Sequence, residues 1–120
     1  MKKIMIVDDE SSVRTSIRLV LESEGFEVSE AKDADDALGA IKKSKPDLIL
    51  LDVMMPGMRP IDLLKKLGED SKLKNIPVIY ISALMGIKKT SVGVKGIVDS
   101  IEKPFKNEEL VAKVKKALKK

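Results

Sequence analysis

The 120-residue sequence predicts an α/β fold of the doubly wound kind, a parallel sheet with helices on both faces. Three observations carry this. The run Leu48-Ile49-Leu50-Leu51 is apolar without alternation, the pattern of a strand buried on both faces. Similar short apolar runs, Lys3–Val7 and Ile76–Ile81, stand before and after it. The segments between such runs carry apolar residues at helical spacing and are punctuated by Gly, Pro, Asn and Asp.

Taken in order, Lys3–Val7 is the first strand. Asp8-Asp9-Glu10-Ser11-Ser12 supplies N-cap candidates and acids suited to the positive end of a helix. Val13, Ile17, Val20 and Leu21 make one apolar helix face, and Gly25 stands where a C′ glycine would end it. Phe26–Glu30 is a second, more exposed strand. Asp33 caps a second helix with the stripe Ala34, Ala37, Leu38 and Ile41, closed by Lys42, Lys43 and Lys45 near its negative end. Pro46 separates it from the central strand, which ends in Asp52 before Pro56-Gly57 break any continuation. A loop runs through Pro60, and Ile61, Leu64 and Leu67 give a short third helix. Ile76–Ile81 is the fourth strand, with Pro77 tolerable only near its start. Leu84–Lys95 should hold a fourth helix, but a poor one: Gly86 and Gly93 interrupt it, Gly96 follows it, and Thr90, Val92 and Val94 are β-branched. Ile97–Ile101 is the fifth strand. Asn107 caps the last helix, whose stripe is Leu110, Val114, Ala117 and Leu118 and whose end is rich in lysine.

Composition narrows the chemistry. The chain has the length of one domain that buries a core without staples. It lacks cysteine, which excludes disulfides and thiol chemistry and makes the cytoplasm the expected location. It lacks histidine, the commonest transition-metal ligand and general base. Any metal must be a hard cation held by oxygens. The apolar runs are far short of a membrane span, and Met1-Lys2-Lys3 with four apolar residues before Asp8 is no signal peptide. The net charge of +4 is uneven: residues 1–60 carry 9 basic and 12 acidic side chains, residues 61–120 carry 14 and 7. Only three aromatics exist to stack bases, so nucleic acid is not the expected partner.

Five strands alternating with five helices take the common flavodoxin-like strand order 2-1-3-4-5, with the switch point between strands 1 and 3. Ligands of such sheets bind there, outside the carboxyl ends of the strands. This order gathers Asp8, Asp9 and Asp52. Carboxylates so close repel at low dielectric, so either one is protonated or a divalent cation sits among them. Magnesium suits the set, since it takes oxygen ligands and binds through one or two carboxylates plus phosphate oxygens. Ser82 after strand 4 and Lys103 after strand 5 stand at the same edge. A hydroxyl, an ammonium and Mg2+ around one carboxylate are what phosphoryl transfer onto that carboxylate requires. Asp52 would be the nucleophile, forming an aspartyl phosphate.

These residues resemble the receiver domain of two-component response regulators, of which the stand-alone chemotaxis regulator is a single-domain member. The resemblance runs the length of the chain, through Ile6-Val7-Asp8-Asp9-Glu10, Leu50-Leu51-Asp52-Val53-Met54-Met55-Pro56-Gly57-Met58, Ile81-Ser82-Ala83 and Glu102-Lys103-Pro104-Phe105. It implies that Asp8, Asp9, Asp52 and the backbone carbonyl of Met54 bind Mg2+. It implies that Asp52 is the phosphoacceptor, served by a histidine kinase or phosphotransfer protein, that Ser82 and Lys103 hold phosphoryl oxygens, and that the Lys103–Pro104 bond is cis. It further implies one receiver domain over residues 1–120 with no effector domain, a monomer or weak dimer. Such a chain is a signalling switch rather than an enzyme, off the membrane, with output to a protein target through the face of helix 4, strand 5 and helix 5.

Three departures stand out. The family's inward-rotating aromatic, three residues before the lysine, is Ser100 here. Pro60 replaces a common glycine and fixes φ at the start of the third helix. The fourth helix is glycine-broken, and the interval from Ser82 to Lys103 is about one residue short of the family pattern. Met54 and Leu84, which would line the path of attacking water, are apolar, and slow self-hydrolysis follows. Two other readings remain open: a pseudo-receiver acting as a constitutive interaction module, and an aspartate-nucleophile phosphohydrolase. The second would place an acid where Met54 stands.

Overall fold

The structure, a computed structural model, describes residues 2–52, 60–82, 97–103 and 105–118. Its elements run β1 (Lys3–Val7), α1 (Ser11–Ser23), β2 (Glu27–Ala31), α2 (Ala34–Lys43), β3 (Leu48–Asp52), α3 (Pro60–Gly68), β4 (Val78–Ser82), β5 (Ile97–Glu102) and α4 (Asn107–Leu118). The five strands are parallel in the order β2-β1-β3-β4-β5, as the sequence predicts. The helix expected over 84–95 lies outside the described residues, as do Met54, Leu84 and Pro104.

Strand alternation sorts the core into two layers. Met5, Val7, Ile49, Leu51, Val78 and Tyr80 face α2 and α3, packing on Ala37, Ile41, Leu63 and Leu67. Ile4, Ile6, Leu48, Leu50, Ile79, Ile81 and Ile101 face α1 and α4, packing on Ile17, Leu21, Leu110 and Val114. Every residue of β3 is buried, which is why its sequence shows no alternation.

Local chemistry sets the boundaries. Gly25 ends α1 at φ 90°, with its N–H on the Glu22 carbonyl and the Phe26 N–H on the Leu21 carbonyl. That pair of bonds is a Schellman motif, and it uses the Phe26 N–H, so β2 starts at Glu27 rather than at Phe26. Asp33 caps α2 as expected, its Oδ1 accepting the Asp36 N–H at 2.8 Å. Pro77 has no N–H to give a ladder, and β4 begins after it. Asn107 is the first residue of α4 rather than its cap: the Lys106 carbonyl accepts the first helical bond, from Leu110, at 3.1 Å. Pro60 opens α3, a position where its fixed φ suits the helix and its missing N–H costs nothing.

Candidate functional site at the carboxyl edge of the sheet

Register and alternation build the site. β1 and β3 pair Ile4 with Leu48, Ile6 with Leu50 and Val7 with Leu51, and one further step sets Asp8 beside Asp52. Asp8 continues the row Ile4-Ile6, Asp52 the row Leu48-Leu50, and Lys103 follows Ile101, all members of the α1/α4 layer. The three side chains therefore leave the sheet on one side at one rim.

Contacts follow from that placement. Asp8 is fully buried and Asp52 is 3% exposed. The Lys103 Nζ donates to Asp8 Oδ2 at 3.1 Å and lies 3.7 Å from Asp52 Oδ2, so one ammonium serves both buried acids. Burial works to lower the Lys103 pKa, but the hydrogen bond it donates to Asp8 and the charges of Asp52, Asp8 and Glu10 outweigh it and hold it above the ordinary lysine range. Asp8 Oδ1 accepts the Glu10 N–H at 2.9 Å, which turns the chain into α1.

The carboxylates that crowd within 4.8 Å of one another are those of Asp8, Asp9 and Glu10, the last two exposed. Glu10 was expected only as an acid at a helix start; it occupies the N-cap position of α1 without a side-chain cap bond. Asp52 joins this group through Lys103. The donor set fits a hard divalent cation: it is all oxygen and partly open to solvent, and the Lys103 ammonium reaches only Asp8 and Asp52 of its acids. Ser82 closes β4 opposite Glu102, one strand from Asp52; its hydroxyl lies outside the described side chains, as do Met54 and Pro104. A groove between Ser12, Val13 and Ser16 of α1 and Phe105 and Leu110 opens beside Lys103.

Residue spacing does not carry two features, the reach of Arg14 and the burial of Ser100. Arg14 reaches back from α1 to the Asp8 carbonyl, Nη1 to O at 2.7 Å, and its Nε donates to Glu30 Oε1 on β2 at 2.9 Å. An arginine one turn into the helix that follows an acidic pair, with a glutamate on the next strand, is the signal that would have suggested it. Ser100 is 2% exposed, and its hydroxyl has no hydrogen-bond partner. It sits opposite Tyr80 in the β4–β5 register, so the ring at this place in the sheet belongs to β4. Among the described residues no helix is long and apolar enough to cross a membrane.

Comparison with known proteins places this geometry. A family model described as the response regulator receiver domain matches residues 4–115. The DNA-binding response regulator MtrA of Mycolicibacterium paratuberculosis is 38% identical over 118 residues, covering 98% of this chain and 51% of that protein. The phosphate regulon transcriptional regulatory protein PhoB of Escherichia coli is 39% identical over 115 residues, 95% of this chain and 50% of that protein. This chain thus spans about half the length of these curated relatives. The chemotaxis response regulator CheY4 of Vibrio cholerae superposes with a TM-score of 0.90 at 30% identity, covering 98% of this chain and 99% of that one.

Proposed function

This chain belongs to the response regulator receiver domain family, and from that premise we propose that it is a phosphorylation switch whose acceptor is Asp52. The phosphoryl group comes from a phosphohistidine on a histidine kinase or phosphotransfer protein. An Asp52 carboxylate oxygen attacks phosphorus; the O–P bond forms as the P–N bond breaks, and that electron pair stays on the imidazole nitrogen. The Lys103 ammonium, already between Asp8 and Asp52, turns to a phosphoryl oxygen as charge develops there, and Ser82 holds a second oxygen. Asp8, Asp9 and Asp52 with the Met54 carbonyl would hold Mg2+, and Glu10 stands close enough to contribute to its field. When bound, the ion supplies charge neutralisation on the phosphoryl oxygens. The observation that carries this reading is the placing of one ammonium within 3.1 Å and 3.7 Å of two buried carboxylates at the ligand-binding rim.

The product is a changed protein surface rather than a released compound, so the chain acts as a switch and not as a turnover enzyme. Output runs by protein contact through the face that β5 and α4 build. DNA binding, which the name of MtrA carries, belongs to a protein about twice as long as the stretch matched here.

Incubation with acetyl phosphate and Mg2+, followed by intact mass, tests the proposal. Wild type should gain one phosphoryl group and Asp52→Asn none. Once freed of donor, the phospho-form should decay slowly, because Met54 and Leu84 cannot orient a water; decay within seconds would refute that part. The second reading, a constitutive interaction module, is favoured by the buried, unpartnered Ser100 at the position of the family's aromatic. An unmodified wild type would decide for it.

A further inference from the structure

We propose that Arg14 is a positioning residue for the acidic rim and that Glu30 holds it in place. The inference rests on the reading that the rim takes a divalent cation. Arg14 touches the acidic tripeptide at both ends. Its backbone N–H donates to the Glu10 carbonyl at 3.1 Å, and its Nη1 donates to the Asp8 carbonyl at 2.7 Å. The Asp8 carbonyl and the Asp9 N–H share one peptide plane, so pinning that oxygen fixes the direction in which Asp9 leaves the strand. The other polar atoms of Asp8 are engaged as well: its N–H on the Ala31 carbonyl, Oδ1 with the Glu10 N–H and Oδ2 with Lys103. Arg14 thus closes the last degree of freedom of a residue that is fully buried.

The guanidinium is itself oriented. Its Nε donates to Glu30 Oε1 at 2.9 Å, while the other carboxylate oxygen of Glu30 takes Nη1 of Arg18. Two bonds from one rigid plane, one to Asp8 just past β1 and one to Glu30 on β2, fix that plane, which the single ammonium of a lysine on a flexible stem cannot do. Arg14 and Glu30 are only 17% and 23% exposed at the side chain, against 40% for Arg18, so the clamp is shielded while its outer partner is not. Charge alone would make Arg14 unwelcome beside a cation site, since like charges repel. At the rim its Nη1 meets the Asp8 carbonyl and not a carboxylate of Asp8, Asp9 or Glu10, which leaves those acidic oxygens to the cation and Lys103.

Mn2+ binding to the unphosphorylated full chain, followed by the free-ion electron paramagnetic resonance signal, tests this, with urea melts in chelator to report folding separately. Arg14→Lys and Glu30→Asp both conserve charge; each should weaken Mn2+ binding by about 10-fold, the usual loss on disturbing residues that orient metal ligands. Arg14→Gln should also weaken it, although charge removal alone would tighten it. Arg18→Lys, which touches Glu30 but not Asp8, should keep the wild-type affinity. If the Arg14 variants fail to fold, Glu30→Asp decides. Unchanged affinity in folded Arg14→Lys and Glu30→Asp overturns the inference alone, and so does an equal loss in Arg18→Lys. No Mn2+ binding by wild type overturns the cation reading together with it.

Discussion

Lys103 reaches an acid 95 positions away in the chain, and what it does to the acids separates chemistry from folding. Replacing it with methionine keeps the stem and removes the ammonium. The rate of labelling by acetyl phosphate should fall by about 100-fold or more, as when one preorganised donor to a developing oxyanion is lost, read by intact mass against time. An unchanged rate would remove Lys103 from the chemistry. Because its pKa is raised, its contribution to stability is complete at neutral pH and is lost only as pH climbs through the folded value, above the ordinary 10.5. Tyr80 adds to the same alkaline arm. Burial pushes its phenol up from 10.0 to about 12, so the folded state resists ionisation and stability falls across that interval. It is the one tyrosine of the chain, so phenolate absorbance reports it alone. The titration midpoint should lie near 12 when folded and return to the ordinary value in urea, and Tyr80→Phe should flatten the alkaline loss.

At the scale of elements, most boundaries were legible because they depend on neighbours in sequence. The Asp33 side chain on the Asp36 N–H and the left-handed Gly25 are local chemistry, readable from residue type. Nothing lies within 4 Å of a Cβ built at Gly25, so Gly25→Ala should meet no clash and lose only the backbone preference. That loss should be about 1 kcal/mol, measured as a shift in the urea midpoint without a change in slope. A neutral result would mean that α1 can end in another way. The misplaced start of β2 and the misplaced cap of α4 have one cause: which N–H or carbonyl the chain has already used is a geometric fact that propensity does not carry. The pair of Arg14 and Glu30 was missed for a related reason, since α1 and β2 come together only once the crossover is closed.

For the whole molecule, the proposed cation would link folding to binding at the rim. Asp8 and Asp52 are buried acids at the ends of adjacent central strands, so an ion that binds them favours the native state. With Mg2+ at 100 times its dissociation constant, stability should rise by about 2.7 kcal/mol, and chelator should remove the gain. Urea melts with and without Mg2+ measure it; the rise should vanish in Asp8→Asn, and an equal rise in that variant would place the ion elsewhere. On the proposed reading the same linkage would give phosphorylation its leverage, because new charge on Asp52 would compete for the ammonium that now joins the end of β5 to the ends of β1 and β3.

By itself the sequence determined the alternation of strand and helix, the two-sided burial of β3 and the types of residue at the carboxyl ends of the strands, since periodicity and turn chemistry act over a few residues. Topology rules then sufficed to name the rim where Asp8, Asp52 and Lys103 meet. Tertiary structure alone decided how they meet: that Lys103 bridges both acids, that Glu10 crowds Asp8 and Asp9, and that an arginine on α1 holds the Asp8 carbonyl. Those relations depend on register, on the side of the sheet each strand end faces and on which polar atoms remain unused. No short stretch of the chain contains that information.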